Sequence, residues 1–168
     1  MLYLNVGSGQ RRFPDPWINI DCVSREGQVP DIVCRGEDLP YGEEEVQYVC
    51  LIQVLEHYGC NESKDLIAEC HRVLCTGGKL IVSVPNLRAL AARWLSHQIN
   101  NYTFLVNLYG AYQGEETDRH RWNFVLETLI MELKEQDWES VRLLHPDRIP
   151  PGADIPFDWW ILNMECIK

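Results

Sequence analysis

The chain has 168 residues, 46% of them apolar and 24% charged, with a net charge of −10. That length is enough to bury one real core and fits a single domain. The acidic balance argues against a protein built to grip phosphate backbones, which needs clustered Lys and Arg, and against adhesion to anionic membranes.

The stretch from Leu2 to Asp21 organises the rest. It reads as a buried strand over residues 2–6, a glycine turn at Gly7-Ser8-Gly9, a short polar and Pro-containing connection, and a second strand over 17–20 ending on Asp21. Gly7 and Gly9 lack side chains, so the backbone turns sharply and a ligand can approach it closely. An acid at the tip of the next strand suits a ribose, whose two hydroxyls donate together to a carboxylate.

Residues 31–34 predict a short third strand, followed by a turn-forming loop over 35–41. The apolar run at 46–51 has the length of a central buried strand and leads into Ile52-Gln53-Val54-Leu55-Glu56-His57. Residues 63–74 predict a helix capped by Ser63, with Leu66, Ile67, Cys70, Val73 and Leu74 on one face and Gly77-Gly78 as its stop. A strand follows at 79–84, then helices over 87–95 and 100–110 and a polar loop over 113–121. Asn123 is placed to cap a helix running to Gln136, with Leu126, Leu129, Ile130 and Leu133 as its buried stripe. Residues 140–144 and 159–167 are the last strands, joined by a proline-rich loop over 146–157.

Strands alternating with helices predict an α/β fold: a mostly parallel sheet in three αβα layers with an antiparallel C-terminal strand. No linker or repeat divides residues 1–168. Residues 86–123 interrupt the strand–helix order where a lid or substrate insertion would sit. No apolar run reaches the length of a membrane span, and the N-terminus opens in a strand pattern, not a signal peptide. Cys22, Cys34, Cys50, Cys60, Cys70, Cys75 and Cys166 form no CxxC pair, which fits reduced thiols and a cytoplasmic location. The His and Cys spacings define no metal-ligand set, so no metal is expected.

Taken together, the GSG turn, the strand-end acid, EDLPY, LIQVLEH and ECHRVLCTGGKLIVSVPN resemble a class I S-adenosylmethionine-dependent methyltransferase. The nearest pattern is the small type 11-like group, with a Rossmann-like sheet and a short connection between its first two strands. His120-Arg121-Trp122 matches the HRW segment that precedes the last long helix in that group. The resemblance implies S-adenosylmethionine as cofactor, S-adenosylhomocysteine as product, and a site built residue by residue. Asn5, Gly7, Ser8, Gly9, Asp21, Asp38, Leu39 and Gln53 would bind the cofactor, with Asp38 and the Leu39 N–H at the adenine and Gln53 near the sulfonium. His57 and His120 are candidate bases, and Tyr109, Arg121 and Trp122 candidate acceptor contacts.

Some features depart from the pattern. Arg11 stands where a third glycine is usual, Asn5 replaces an acid in the first strand, and Gln47 and Tyr48 stand where an Asp is common. For Glu56, His57 and His120-Arg121-Trp122 a purely structural anchoring role stands beside the functional one. No (D/N/S)PP(Y/F) tetrapeptide follows the central strand, and no Pro-Cys nucleophile is placed as in cytosine-C5 enzymes. With the acidic charge, this points to a small molecule, or a sugar or glycan precursor, and away from nucleic acid and membranes. The alternative is a catalytically weak or inactive S-adenosylmethionine-binding module acting as a partner subunit. A nucleotide-dependent dehydrogenase would need a longer glycine fingerprint.

Overall fold

The computed structural model describes residues 1–112 and 114–168; Gln113, at the start of the expected polar loop, lies outside the described residues. The apolar runs form seven strands of one sheet: β1 (Leu2–Val6), β2 (Trp17–Asp21), β3 (Ile32–Val33), β4 (Val46–Ile52), β5 (Leu74–Pro85), β6 (Ser140–Leu143) and β7 (Ile161–Ile167). Their order is β3-β2-β1-β4-β5-β7-β6. The first five pair in parallel, and β7 runs antiparallel between β5 and β6. The expected Rossmann-like, mostly parallel sheet with an antiparallel last strand is present.

Helical spacing of apolar residues decides what covers the sheet. Leu66, Ile67, Cys70 and Val73 of α1 (Glu62–Val73) and Leu129 and Leu133 of α4 (Leu126–Leu133) join one core with Leu4, Val6, Val49, Leu51, Leu80 and Val82. Each such side chain contributes about 1.5–3 kcal/mol when fully buried. Phe13, Trp17, Cys50, Ile52, Ile81, Leu144 and Ile155 form a smaller second core. Between β5 and the last two strands lie α2 (Leu87–Leu95) and α3 (Asn101–Tyr109). Both start on an Asn side chain that accepts a backbone N–H of the first turn.

Several boundaries differ from expectation for local reasons. The cap of α1 is Asn61; Ser63 lies inside the helix and its hydroxyl donates to the Cys60 carbonyl at 3.2 Å. Gly77-Gly78 do not precede a new strand, because β5 already starts at Leu74, paired with Val46 ahead of a register shift. Asn123 does not cap α4. Its amide donates to the Leu108 carbonyl at 3.3 Å, and the Thr128 hydroxyl accepts from the Val125 N–H instead.

The connection from β1 to β2 holds no helix. A buried amide pair shapes it. Asn5 Nδ2 donates to Asn19 Oδ1 at 2.9 Å and to the Arg11 carbonyl at 2.7 Å. Asn19 Oδ1 also accepts from the Phe13 N–H at 2.7 Å, while its Nδ2 donates to the Phe13 carbonyl and to Asp31. Backbone groups of a loop laid against the sheet thereby find partners that a helix would otherwise supply.

Candidate functional site

In an open α/β sheet the crevice lies outside the carboxyl ends of the strands, where the strand order reverses. Here that point falls between β1 and β4, and a cavity of about 690 Å³ opens there. Gly7 turns at φ +71°, and a Cβ on it would stand 2.5 Å from Val54 Cγ2, so only glycine fits. Gly9 has φ +45° and open space where a Cβ would be, leaving bare backbone on the cavity wall. Its N–H donates to Asp21 Oδ2 at 2.7 Å, and the Val23 N–H donates to Oδ1 at 3.0 Å. The carboxylate is thus oriented by two backbone donors, and each oxygen retains acceptor capacity toward the cavity.

Gln53 follows β4 with φ +58°, a left-handed conformation uncommon outside glycine and enriched at functional sites. Its N–H is held by the Ser83 carbonyl at 2.8 Å, while its side-chain Nε2 is buried without a partner. Beyond it a single 3-10 turn, Leu55–His57, carries Glu56 and His57. The segment after α3 returns over this turn, where the Arg121 and Trp122 N–H groups both donate to the Glu56 carbonyl, at 2.8 and 3.1 Å. This brings His120 against His57, edge to face, with ring centroids 4.8 Å apart.

The electrostatics of this corner are set by burial. Desolvation pushes the Glu56 carboxyl up to about 8, against a smaller opposing effect of its own N–H. Burial lowers His57, partly offset by the carbonyls of Arg119 and Thr117. Burial, then the neighbouring His57, lowers His120 to about 4 against the Asn107 carbonyl. Both imidazoles are therefore neutral at pH 7.

Of the residues expected at a site, Gly7, Gly9, Asp21, Gln53, His57, His120 and Arg121 line this one cavity. Asn5, Ser8, Asp38, Leu39, Tyr109 and Trp122 do not. Asn5 is spent on the β1–β2 connection, and Ser8 is 3% exposed with its N–H on the Ile20 carbonyl. The Leu39 N–H is already taken by Glu69 Oε1 at 2.9 Å, and its side chain is in the core. Arg35 and Gly36 stand on the cavity wall where Asp38 and Leu39 were expected. Tyr109 and Trp122 are exposed and act through their backbones, Tyr109 by accepting the His120 N–H. Arg121 reaches the cavity, but its guanidinium forms a two-pronged pair with Glu62.

Arg25 and residues 116–119 also line the cavity and had no signal of their own in the chain. Arg25 bonds Asp118 at 2.6 Å, which ties the β2–β3 connection to the segment after α3. Gly110 makes that segment possible. It has φ +83°, and a Cβ there would lie 2.4 Å from the Asp118 carbonyl oxygen and 3.0 Å from the His120 nitrogen. Gly110→Ala is expected to cost about 1–3 kcal/mol or more and to lower Tm by several degrees, measured by circular dichroism. An unchanged melting curve would contradict this packing.

A mostly parallel sheet in this strand order, with a bare glycine turn and a strand-end acid around the switch-point cavity, is a Rossmann-like arrangement. The family profile described as "Methyltransferase domain", type 11, matches residues 18–82. That match spans well under half of the chain and, with the solved structures below, ties the fold to S-adenosylmethionine-dependent methyltransferases. It is 32% identical over 90 residues to an uncharacterised protein of Methanocaldococcus jannaschii; the match covers 48% of this chain and 43% of that protein, so the chain spans less than half the length of this curated relative.

Solved structures share the fold at low identity. A protein of Thermotoga maritima described as an S-adenosylmethionine-dependent methyltransferase, possibly a histamine N-methyltransferase, superposes with TM-score 0.62 at 16% identity, over 99% of this chain and 82% of that one. An S-adenosylmethionine-dependent methyltransferase of Archaeoglobus fulgidus gives 0.65 at 13% identity, over 99% and 85%. The 1,6-didemethyltoxoflavin-N1-methyltransferase of Burkholderia thailandensis, solved with its substrate and S-adenosylhomocysteine, gives 0.58 at 16% identity, over 99% and 70%. Among the described residues no helix is long and apolar enough to cross a membrane.

Proposed function

We propose that this chain is an S-adenosylmethionine-dependent methyltransferase of the cytoplasm, acting on a small molecule or a sugar or glycan precursor and releasing S-adenosylhomocysteine. One observation carries the reading: Asp21 and the bare Gly7–Gly9 backbone face a single cavity at the sheet's switch point. The cavity's size suits a ligand of that kind. When bound, S-adenosylmethionine supplies an electrophilic methyl group on a good leaving group.

The chain's own residues bind and orient. Asp21 accepts the ribose hydroxyls, Gly9 offers close-approaching backbone, and Arg35 and Gly36 border the adenine end. Gln53 presents an unpartnered amide on the same wall. Residues 116–121 form the lid side of the cavity and exclude water. In-line transfer then depends mainly on holding the acceptor close and aligned. His57 and His120 both border the cavity as candidate bases, and burial lowers both imidazoles, His120 to about 4. Arg121 meets an anionic acceptor only by exchanging its Glu62 partner. The net charge of −10 supports a non-nucleic-acid acceptor, and the free cysteines support a reducing compartment.

Isothermal titration with S-adenosylhomocysteine is expected to show saturable one-to-one binding. Mass spectrometry of the purified protein provides the parallel check for a retained adenosyl ligand. A folded protein that binds neither S-adenosylmethionine nor S-adenosylhomocysteine would refute the proposal.

A further inference from the structure

Beside the cavity floor, Glu56, His57 and His120 converge so that one potential ligand atom from each lies within 4.8 Å of the other two. They do not satisfy one another. Both Glu56 carboxylate oxygens and His57 Nδ1 are buried without a hydrogen-bond partner. Glu56 is 1% exposed. An unpartnered carboxylate at that depth is costly, and such groups in native structures call for a counter-charge or a metal.

The protons can be placed from the neighbours. His120 Nδ1 sits 2.9 Å from the Asn107 carbonyl, and a carbonyl only accepts, so Nδ1 carries the hydrogen and Nε2 keeps its lone pair. An imidazole oriented by a carbonyl on its far nitrogen is the usual outer arrangement of a metal-bound histidine. The ring of His57 likewise faces the carbonyls of Thr117 and Arg119. A cation bound here would displace any proton on Glu56, leaving a corner of acceptors only. Water has only two hydrogens to donate and leaves one of three such acceptors unmet, whereas a cation takes all three.

We propose that Glu56, His57 and His120 form a site for a divalent transition-metal ion, with its open coordination positions facing the cavity. Two imidazoles and one carboxylate suit Zn²⁺, Mn²⁺, Fe²⁺ or Co²⁺. Ligand distances near 2.1 Å require the three groups to close by about an ångström. Spacing rules do not reveal the set, because His120 lies on a loop far along the chain from the 3-10 turn that carries Glu56 and His57.

The ion's role rests on the methyltransferase reading, and the ion replaces His57 or His120 as the base, since a coordinated imidazole has no lone pair left to take a proton. It would bind an acceptor hydroxyl, lower its pKa and let its proton leave to solvent. The oxygen lone pair then forms the new C–O bond, the S–CH₃ bond breaks, and its electron pair stays on sulfur.

The test uses the tag-free chain of residues 1–168, stripped with chelator and titrated with Co²⁺ by visible absorption and calorimetry. Uptake of one Co²⁺ per chain, displaced by Zn²⁺, is expected. Glu56→Gln and His120→Asn should each weaken uptake at least about tenfold, with folding checked by circular dichroism. A folded wild-type chain without saturable uptake, or unchanged affinity in the folded variants, would overturn the site. If Glu56→Gln fails to fold, the His120→Asn comparison decides. Metal uptake without S-adenosylhomocysteine binding would leave the site standing and remove the methyltransferase reading, whereas binding of S-adenosylhomocysteine without metal removes the site alone.

Discussion

Asp21→Ala is expected to weaken S-adenosylhomocysteine binding by about 10²–10³-fold, the loss of two charge-assisted hydrogen bonds at about 1.5–3 kcal/mol each less partial compensation by water. The carboxylate is also held by the Gly9 and Val23 N–H groups, so its removal frees the turn it orients. Asp21→Asn separates the two effects. It keeps one acceptor oxygen and the side-chain volume, and should fall between the parent and the alanine variant. Calorimetry provides the affinities and a melting curve shows whether the fold is intact. If the alanine variant binds within about threefold of the parent, ribose recognition at Asp21 is wrong.

Asn19→Ala should destabilise the chain by about 3–5 kcal/mol, since two or three buried groups each lose a partner at about 1–3 kcal/mol. Those groups are the Phe13 N–H and carbonyl and one donor position of Asn5. Against a typical net stability of about 5–15 kcal/mol, that is a large fraction, and urea unfolding will measure it. A loss below about 1 kcal/mol would mean the network is replaceable. The same substitution should reshape the acid limb of the stability curve. Burial raises the Asp31 carboxyl, but the Asn19 N–H, the Arg12 guanidinium and the Asn19 amide together outweigh it, so its pKa lies below the ordinary value. A depressed acid contributes stability above its unfolded pKa and loses it as pH falls through the folded one. Without the Asn19 side chain that acid-dependent loss becomes shallower.

The sheet was legible because each strand is a local apolar run and each covering helix a local stripe. Asp21 and the glycine turn were legible for a similar reason: strand tips gather at one end of a parallel sheet whatever the loops do. What failed depended on partners distant in the chain. The Leu39 N–H was expected at a ligand, yet Glu69, thirty positions on, captures it. Asn123 looked like a cap until Leu108 drew its amide away. Asn5 read as a pocket residue missing its charge, and proved to be half of a structural amide pair. The meeting of His57 and His120 required the turn at Gly110, whose necessity is visible only once the Asp118 carbonyl is seen beneath it.

Two ion pairs fasten residues 116–121 to opposite banks of the cavity, Asp118 to Arg25 and Arg121 to Glu62. A strap tied by charges at its two ends loosens as ionic strength rises. On the methyltransferase reading, the grip that shields a reactive methyl from hydrolysis also detains the spent nucleoside, so departure of product, more than the transfer itself, would set the pace of turnover in dilute salt.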